Sequence, residues 1–186
     1  ARGMNHPITA QLFVDLGNVY DSQRRWEEAT PYYRAALEAY EESLGPQHPE
    51  TMKAIVSLAR MLRFQDKPIE ATRLLRRAVE SRSAVLGEDH ISTAGAMLNL
   101  AGTLILIGNF GEAETILQKT LEIYQGSYGP NSADEAESLM LLAALATEQG
   151  NNKTAQDYLA QVLEIHQIEP LNPRYVIHIH YLKATL

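Results

Sequence analysis

Hydrophobic residues along this chain recur at spacings of three and four, in runs separated by short polar turns. Phe13, Leu16, Gly17 and Tyr20 form one run, and Ala29, Tyr33, Ala36, Leu37 and Tyr40 form the next. Such spacing gathers side chains onto one stripe of an α-helix. Gln23-Arg24-Arg25 separates the two runs, and Gly45-Pro46 ends the second. Glycine can take a left-handed C-cap conformation, and proline cannot continue a helix.

The same pair of runs returns every 42 residues. Leu44-Gly45 recurs as Leu86-Gly87 and as Tyr128-Gly129. Glu28-Ala29 recurs as Glu70-Ala71, Glu112-Ala113 and Thr154-Ala155, and His6-Pro7 as His48-Pro49 and His90-Ile91. Several independent landmarks on one period mark an internal repeat. The pattern predicts first helices over about 7–22, 49–64, 91–107 and 133–149, and second helices over about 26–43, 68–85, 111–127 and 152–167. Gly17, Ala59, Ala101 and Ala143 share one position, and Ala29, Ala71, Ala113 and Ala155 another. Small residues there let paired helices approach closely.

A fifth element is expected from Asn172-Pro173 to the end, about 172–186. Ile177-His178-Ile179-His180 alternates like a strand, but a lone strand would leave its backbone unpaired, so a helix is preferred. It falls in the slot of a fifth first helix, where it would cover the apolar end of a stack. The whole reads as one all-α domain over 1–186, with copies at about 6–47, 48–89, 90–131 and 132–169.

Composition agrees with this reading. Hydrophobic residues make up 45% of the chain, enough for a continuous core, and Ala and Leu are good helix formers. The net charge of −7 argues against general nucleic-acid binding, which needs a basic face. With no cysteine, disulfides, thiol catalysis and thiolate metal sites are excluded. No stretch approaches the roughly 20 apolar residues that span a bilayer. Ala1-Arg2-Gly3-Met4-Asn5 holds no hydrophobic signal core, and the chain reads as a piece whose natural start lies elsewhere. The expected compartment is cytoplasmic.

The residues quoted above resemble the tetratricopeptide repeat. A bulky residue, Leu-Gly, Tyr, Ala, an aromatic and Ala stand in order as Phe13, Leu16-Gly17, Tyr20, Ala29, Tyr33 and Ala36. The 42-residue period, the linkers Leu-Gly-Pro-Gln-His-Pro and Leu-Gly-Glu-Asp-His, and the segments Leu98-Asn99-Leu100-Ala101 and Leu121-Glu122-Ile123-Tyr124 are similar to the kinesin-light-chain subtype. The resemblance covers about residues 6–168 and implies a right-handed α-solenoid whose first helices line a concave groove.

Carried onto this sequence, the groove positions include Asn18 in the first copy and Lys53, Arg60 and Arg63 in the second. In the third they include Leu98, Asn99 and Ile105, and in the fourth Met140. The second copy is thus expected to be basic, and the third and fourth apolar, with Gly95 and Gly102 leaving room. Residues 49–86 carry +4 inside a chain of −7. Such asymmetry steers an acidic ligand. Asn18 and Asn99 could hydrogen-bond an extended peptide backbone. Some members of the resembled family clamp a chaperone carboxylate with Lys and Asn. Here Val14 and Asn18, then Gly95 and Asn99, fill those places, so the clamp is mostly absent.

Candidate chemistry falls away when the copies are overlaid. His6, His48 and His90 share a position before a first helix, which marks them as structural. His178 and His180 diverge on a helix, and His166 has no partner at ligand spacing. Glu27-Glu28, Glu41-Glu42 and Asp134-Glu135 are sequence neighbours that also diverge. Trp26 aligns with Phe110 and reads as packing at a turn. No catalytic residue, metal site or cofactor is expected. The leading expectation is a non-catalytic module that binds a protein or peptide, with acidic and bulky apolar residues, in the groove. The alternative is a segment of a longer array or a self-association module.

Overall fold

The computed structural model describes residues 6–168, 170–171 and 179. The described residues form eight α-helices and no strand: α1 Pro7–Ser22, α2 Trp26–Leu44, α3 Pro49–Phe64, α4 Pro68–Leu86, α5 Ile91–Leu106, α6 Phe110–Tyr128, α7 Ala133–Glu148 and α8 Asn152–Ile168. Each predicted helix is present, with ends within about two residues of those expected. The fifth element expected over 172–186 lies outside the described residues except for Ile179, which is helical.

The chain divides into two compact units, Ala1–Glu88 and Asp89–Leu186, and the division falls at a repeat boundary. In the first unit α1 packs on α2, α2 on α3, and α3 on α4. In the second, α5 packs on α6, α6 on α7, and α7 on α8.

The helix starts share one device. His6, His48 and His90 are N-caps whose Nδ1 atoms accept from the backbone N–H two residues on, at 3.2, 3.2 and 3.0 Å. Each ring therefore carries its proton on Nε2. Ser132 holds the same position in the fourth copy, and its hydroxyl accepts from the Glu135 N–H. These contacts satisfy amides that a helix start leaves unpaired.

The turns within each pair share another. The residue two before the second helix has a positive φ in every copy: Arg24 at 58°, Asp66 at 57°, Gly108 at 75° and Gly150 at 74°. Only the last two copies use the residue type that adopts this conformation without strain.

The small-residue position shows what sets the helix spacing. A Cβ on Gly17 would lie 3.0 Å from the Tyr33 ring. In the other copies alanine stands there, and Leu75, Leu117 and Leu159 replace Tyr33. All three leucines are buried, as are Ala59, Ala101 and Ala143. The first copy therefore trades a methyl group on one helix for a ring on the other.

Candidate partner-binding faces

In the first unit the expected face is built by α1 and α3. Gly17 lets the Tyr33 ring reach across α1, and the Tyr33 hydroxyl donates to Asn18 Oδ1 at 2.6 Å. One turn away, Arg60 of α3 reaches Asp21 of α1 at 2.5 Å. Burial pushes the Tyr33 phenol above its ordinary pKa, and the Asp21 carboxylate adds to this, while the Arg60 guanidinium opposes it. Nearer the helix starts, Tyr40 donates to Gln11 Oε1 at 3.0 Å, and Gln11 donates to Asp15 at 2.9 Å. The Tyr40 phenol is also raised, by burial first and then by the Glu50 and Asp15 carboxylates.

These contacts change the electrostatic picture. Lys53 pairs with Glu50 at 2.7 Å within its own helix, with both groups in contact with solvent. Arg60 is held by Asp21. Counted together, Lys53, Arg60 and Arg63 face Asp15, Asp21 and Glu50 on the same pair of helices, so the face is balanced rather than basic. Arg63 differs from its neighbours. It is half-buried, no described carboxylate pairs with it, and burial lowers its guanidinium pKa.

In the second unit the expected apolar positions behave differently. Leu98 is 4% exposed and Met140 6%, and both belong to the core cluster with Ala94, Ala101, Leu139 and Leu159. Leu171 and Ile179 lie in the same cluster. Leu98 and Met140, expected on the groove, are thus buried in the core of this unit. Ile105 is half-buried against that cluster. Asn99 donates through Nδ2 to the Gly95 carbonyl at 2.8 Å, a local bond along its own helix.

Other candidates resolve into structure. Trp26 stacks on Phe64, with ring centroids 4.5 Å apart. His166 accepts at Nδ1 from the Leu171 N–H at 3.0 Å, a partner too irregular in spacing to read from the sequence. His178 and His180 lie outside the described residues. Among the described residues no group of three or more His, Cys, Asp or Glu side chains is placed to hold a metal ion, and no helix is long and apolar enough to cross a membrane. The Glu135 carboxylate, buried in the second unit, accepts from Gln125 Nε2 at 2.7 Å and from the Asn131 N–H, which fixes the turn before α7.

Solved structures similar to this chain show the fold. A single-residue variant of a Podosopora anserina kinesin light chain with nearly identical TPR-like repeats matches at 22% identity with a TM-score of 0.78, over 97% of this chain and 86% of that one. BtubC (BKLC) from P. vanneervenii matches at 19% identity with a TM-score of 0.77, over 88% of this chain. The apo form of RapI matches at 17% identity with a TM-score of 0.75, over 93% of this chain. The matched region spans 65% of the BtubC chain and 46% of the RapI chain. No curated protein matches the sequence. The fold of the described residues is thus all-α and of the TPR type. The profile of the tetratricopeptide repeat family matches residues 8–84, 56–119 and 92–168, and with that coverage the chain belongs to this family.

Proposed function

We propose that the chain is a non-catalytic adaptor, and that the α1–α3 face of its first unit binds a partner segment through a carboxylate received by Arg63. Repeats of this family generally mediate protein–protein interactions. The observation that carries the finer reading is the state of Arg63. Its guanidinium has lost part of its water and has no described carboxylate in exchange. A charge in that position gains more from an incoming carboxylate than one already paired. Arg60 lies one turn back and is occupied by Asp21. Asn18 stands on the same face, with its oxygen engaged by Tyr33. The expected apolar positions Leu98 and Met140 are core residues, so this reading rests on the first unit alone.

Selection of random peptides displayed on phage tests it. Peptides enriched on the chain should contain Asp or Glu, and Arg63→Glu should weaken their binding at least tenfold with helicity intact. Arg60→Glu should weaken it less. Peptides without acidic bias, or equal binding to Arg63→Glu, would refute the assignment.

A further inference from the structure

The first copy carries a hydrogen-bond chain whose members the other copies replace. Tyr33 of α2 is fully buried, and its ring reaches α1 because Gly17 has no side chain. The later copies have Leu75, Leu117 and Leu159 at its place, so packing alone does not call for a hydroxyl there. Asn18 is equally particular to the first copy, with Arg60, Gly102 and Ala144 at its place. The hydroxyl and the amide occur together, and they bond at 2.6 Å.

The direction of the chain follows from what each group can give. Arg60 holds Asp21 and also bonds the Tyr33 hydroxyl. A guanidinium only donates. The Tyr33 oxygen therefore receives from Arg60, and its own proton goes to Asn18 Oδ1. With that oxygen held, Nδ2 lies across Cγ and keeps two N–H groups to give. Asn18 is exposed, and among the described residues none takes those N–H groups. Other groove amides differ. Gln11 on the same helix has both ends engaged, its oxygen by Tyr40 and its nitrogen by Asp15. Asn99 of α5 is turned the opposite way, with its nitrogen on the Gly95 carbonyl.

We infer that Tyr33 is a positioning residue for partner binding: it fixes Asn18 as a donor, so the bound segment places a backbone carbonyl oxygen there and not an N–H. This rests on the reading that the α1–α3 face receives a partner segment, and it adds a second contact to the carboxylate at Arg63. A freely turning amide accepts either kind of group. One held through Arg60 and Tyr33 presents N–H alone, and a ligand donor set against it leaves both sides unpaired. Each bond in the chain also polarises the next, which strengthens Nδ2 as a donor.

The orientation is read first, by NMR without ligand. The Asn18 Cγ resonance should move upfield in Tyr33→Phe, because its oxygen loses a donor, and an unmoved resonance would overturn the inference whatever the peptides do. Binding is then read with a synthetic copy of an acidic peptide selected on the chain. Tyr33→Phe should weaken it about threefold, and Asn18→Ala about as much. In the Asn18→Ala background Tyr33→Phe should cost nothing further, an outcome that a merely structural role for Tyr33 does not give. Peptides with one backbone amide replaced by an ester offer a weaker carbonyl acceptor. One such position should lose affinity on the wild-type chain and lose none on Asn18→Ala. Additive losses in the double variant, or no ester position sensitive to Asn18, would overturn the inference. Arg63→Glu decides the carboxylate separately. Loss there beside additive Tyr33 and Asn18 effects would keep that reading and remove this one, and unchanged binding there beside coupled effects would do the reverse.

Discussion

The Gly17–Tyr33 contact can be tested by converting the first copy to the arrangement of the other three. Gly17→Ala alone adds a methyl group 3.0 Å from the Tyr33 ring. Alanine favours the helix by about 1 kcal/mol over glycine, while overpacking costs about 1–3 kcal/mol. The single variant should therefore lose about 0–2 kcal/mol. Tyr33→Leu alone loses the bond to Asn18 Oδ1, worth about 1 kcal/mol, and leaves part of the ring's volume empty above Gly17. Together these should cost about 2–3 kcal/mol, below the range of a full aromatic-to-alanine truncation. The double variant places Ala against Leu, as at Ala59 and Leu75. The methyl then fills space that the ring has vacated, so the double variant should be about 1–2 kcal/mol more stable than the sum of the singles predicts. Trp26 is the one tryptophan and stacks on Phe64 in the same unit, so its fluorescence during urea unfolding reports the relevant half of the chain. Additivity within about 0.5 kcal/mol would show that ring and backbone do not compete for this space.

Two further outcomes follow from buried polar groups. Burial raises the phenols of Tyr33 and Tyr40, so the unfolded chain ionises first; their contribution is complete below the ordinary phenol value of about 10 and is lost as pH rises through the higher folded values. The melting temperature should fall in that alkaline range, and an equally steep fall in Tyr33→Phe with Tyr40→Phe would exclude these groups as its cause. Glu135→Ala strands the Gln125 amide and the Asn131 N–H, and should lower stability by about 1–3 kcal/mol in urea titrations followed by circular dichroism, whereas an unchanged midpoint would show that water replaces the carboxylate.

Helix positions were legible because their signals are local. Gly45, Gly87 and the His-Pro starts mark ends within a few residues of the turns they cause, and one period multiplies each signal. Partnerships were less legible. Asp21 and Arg60 are 39 residues apart, and a charge count treats both as free. Leu171 and Ile179 belong to the same core cluster as Leu98 and Met140, and no helical stripe connects them in the sequence. The histidine caps left a readable clue. Ser132, a common N-cap residue type, stands in register with His6, His48 and His90. Pro31 points the other way: it lies inside α2, where a sequence rule would end the helix, yet α2 continues. Next to it, the carbonyl of Trp26 accepts from both Thr30 and Gln65, so side chains supplement the backbone ladder near this turn.

The Asp21–Arg60 pair has a consequence for how a ligand is chosen. An acidic segment that reaches only Arg60 exchanges one carboxylate for another and gains little, because Asp21 must first be released into water. Asp21 thus acts as a resident competitor. Under the proposed reading, a ligand whose carboxylate extends one helical turn further, to Arg63, meets a cation that no described carboxylate occupies. On the proposed reading, discrimination on this face would be positional, and a partner's overall acidity would be a poor guide to its affinity.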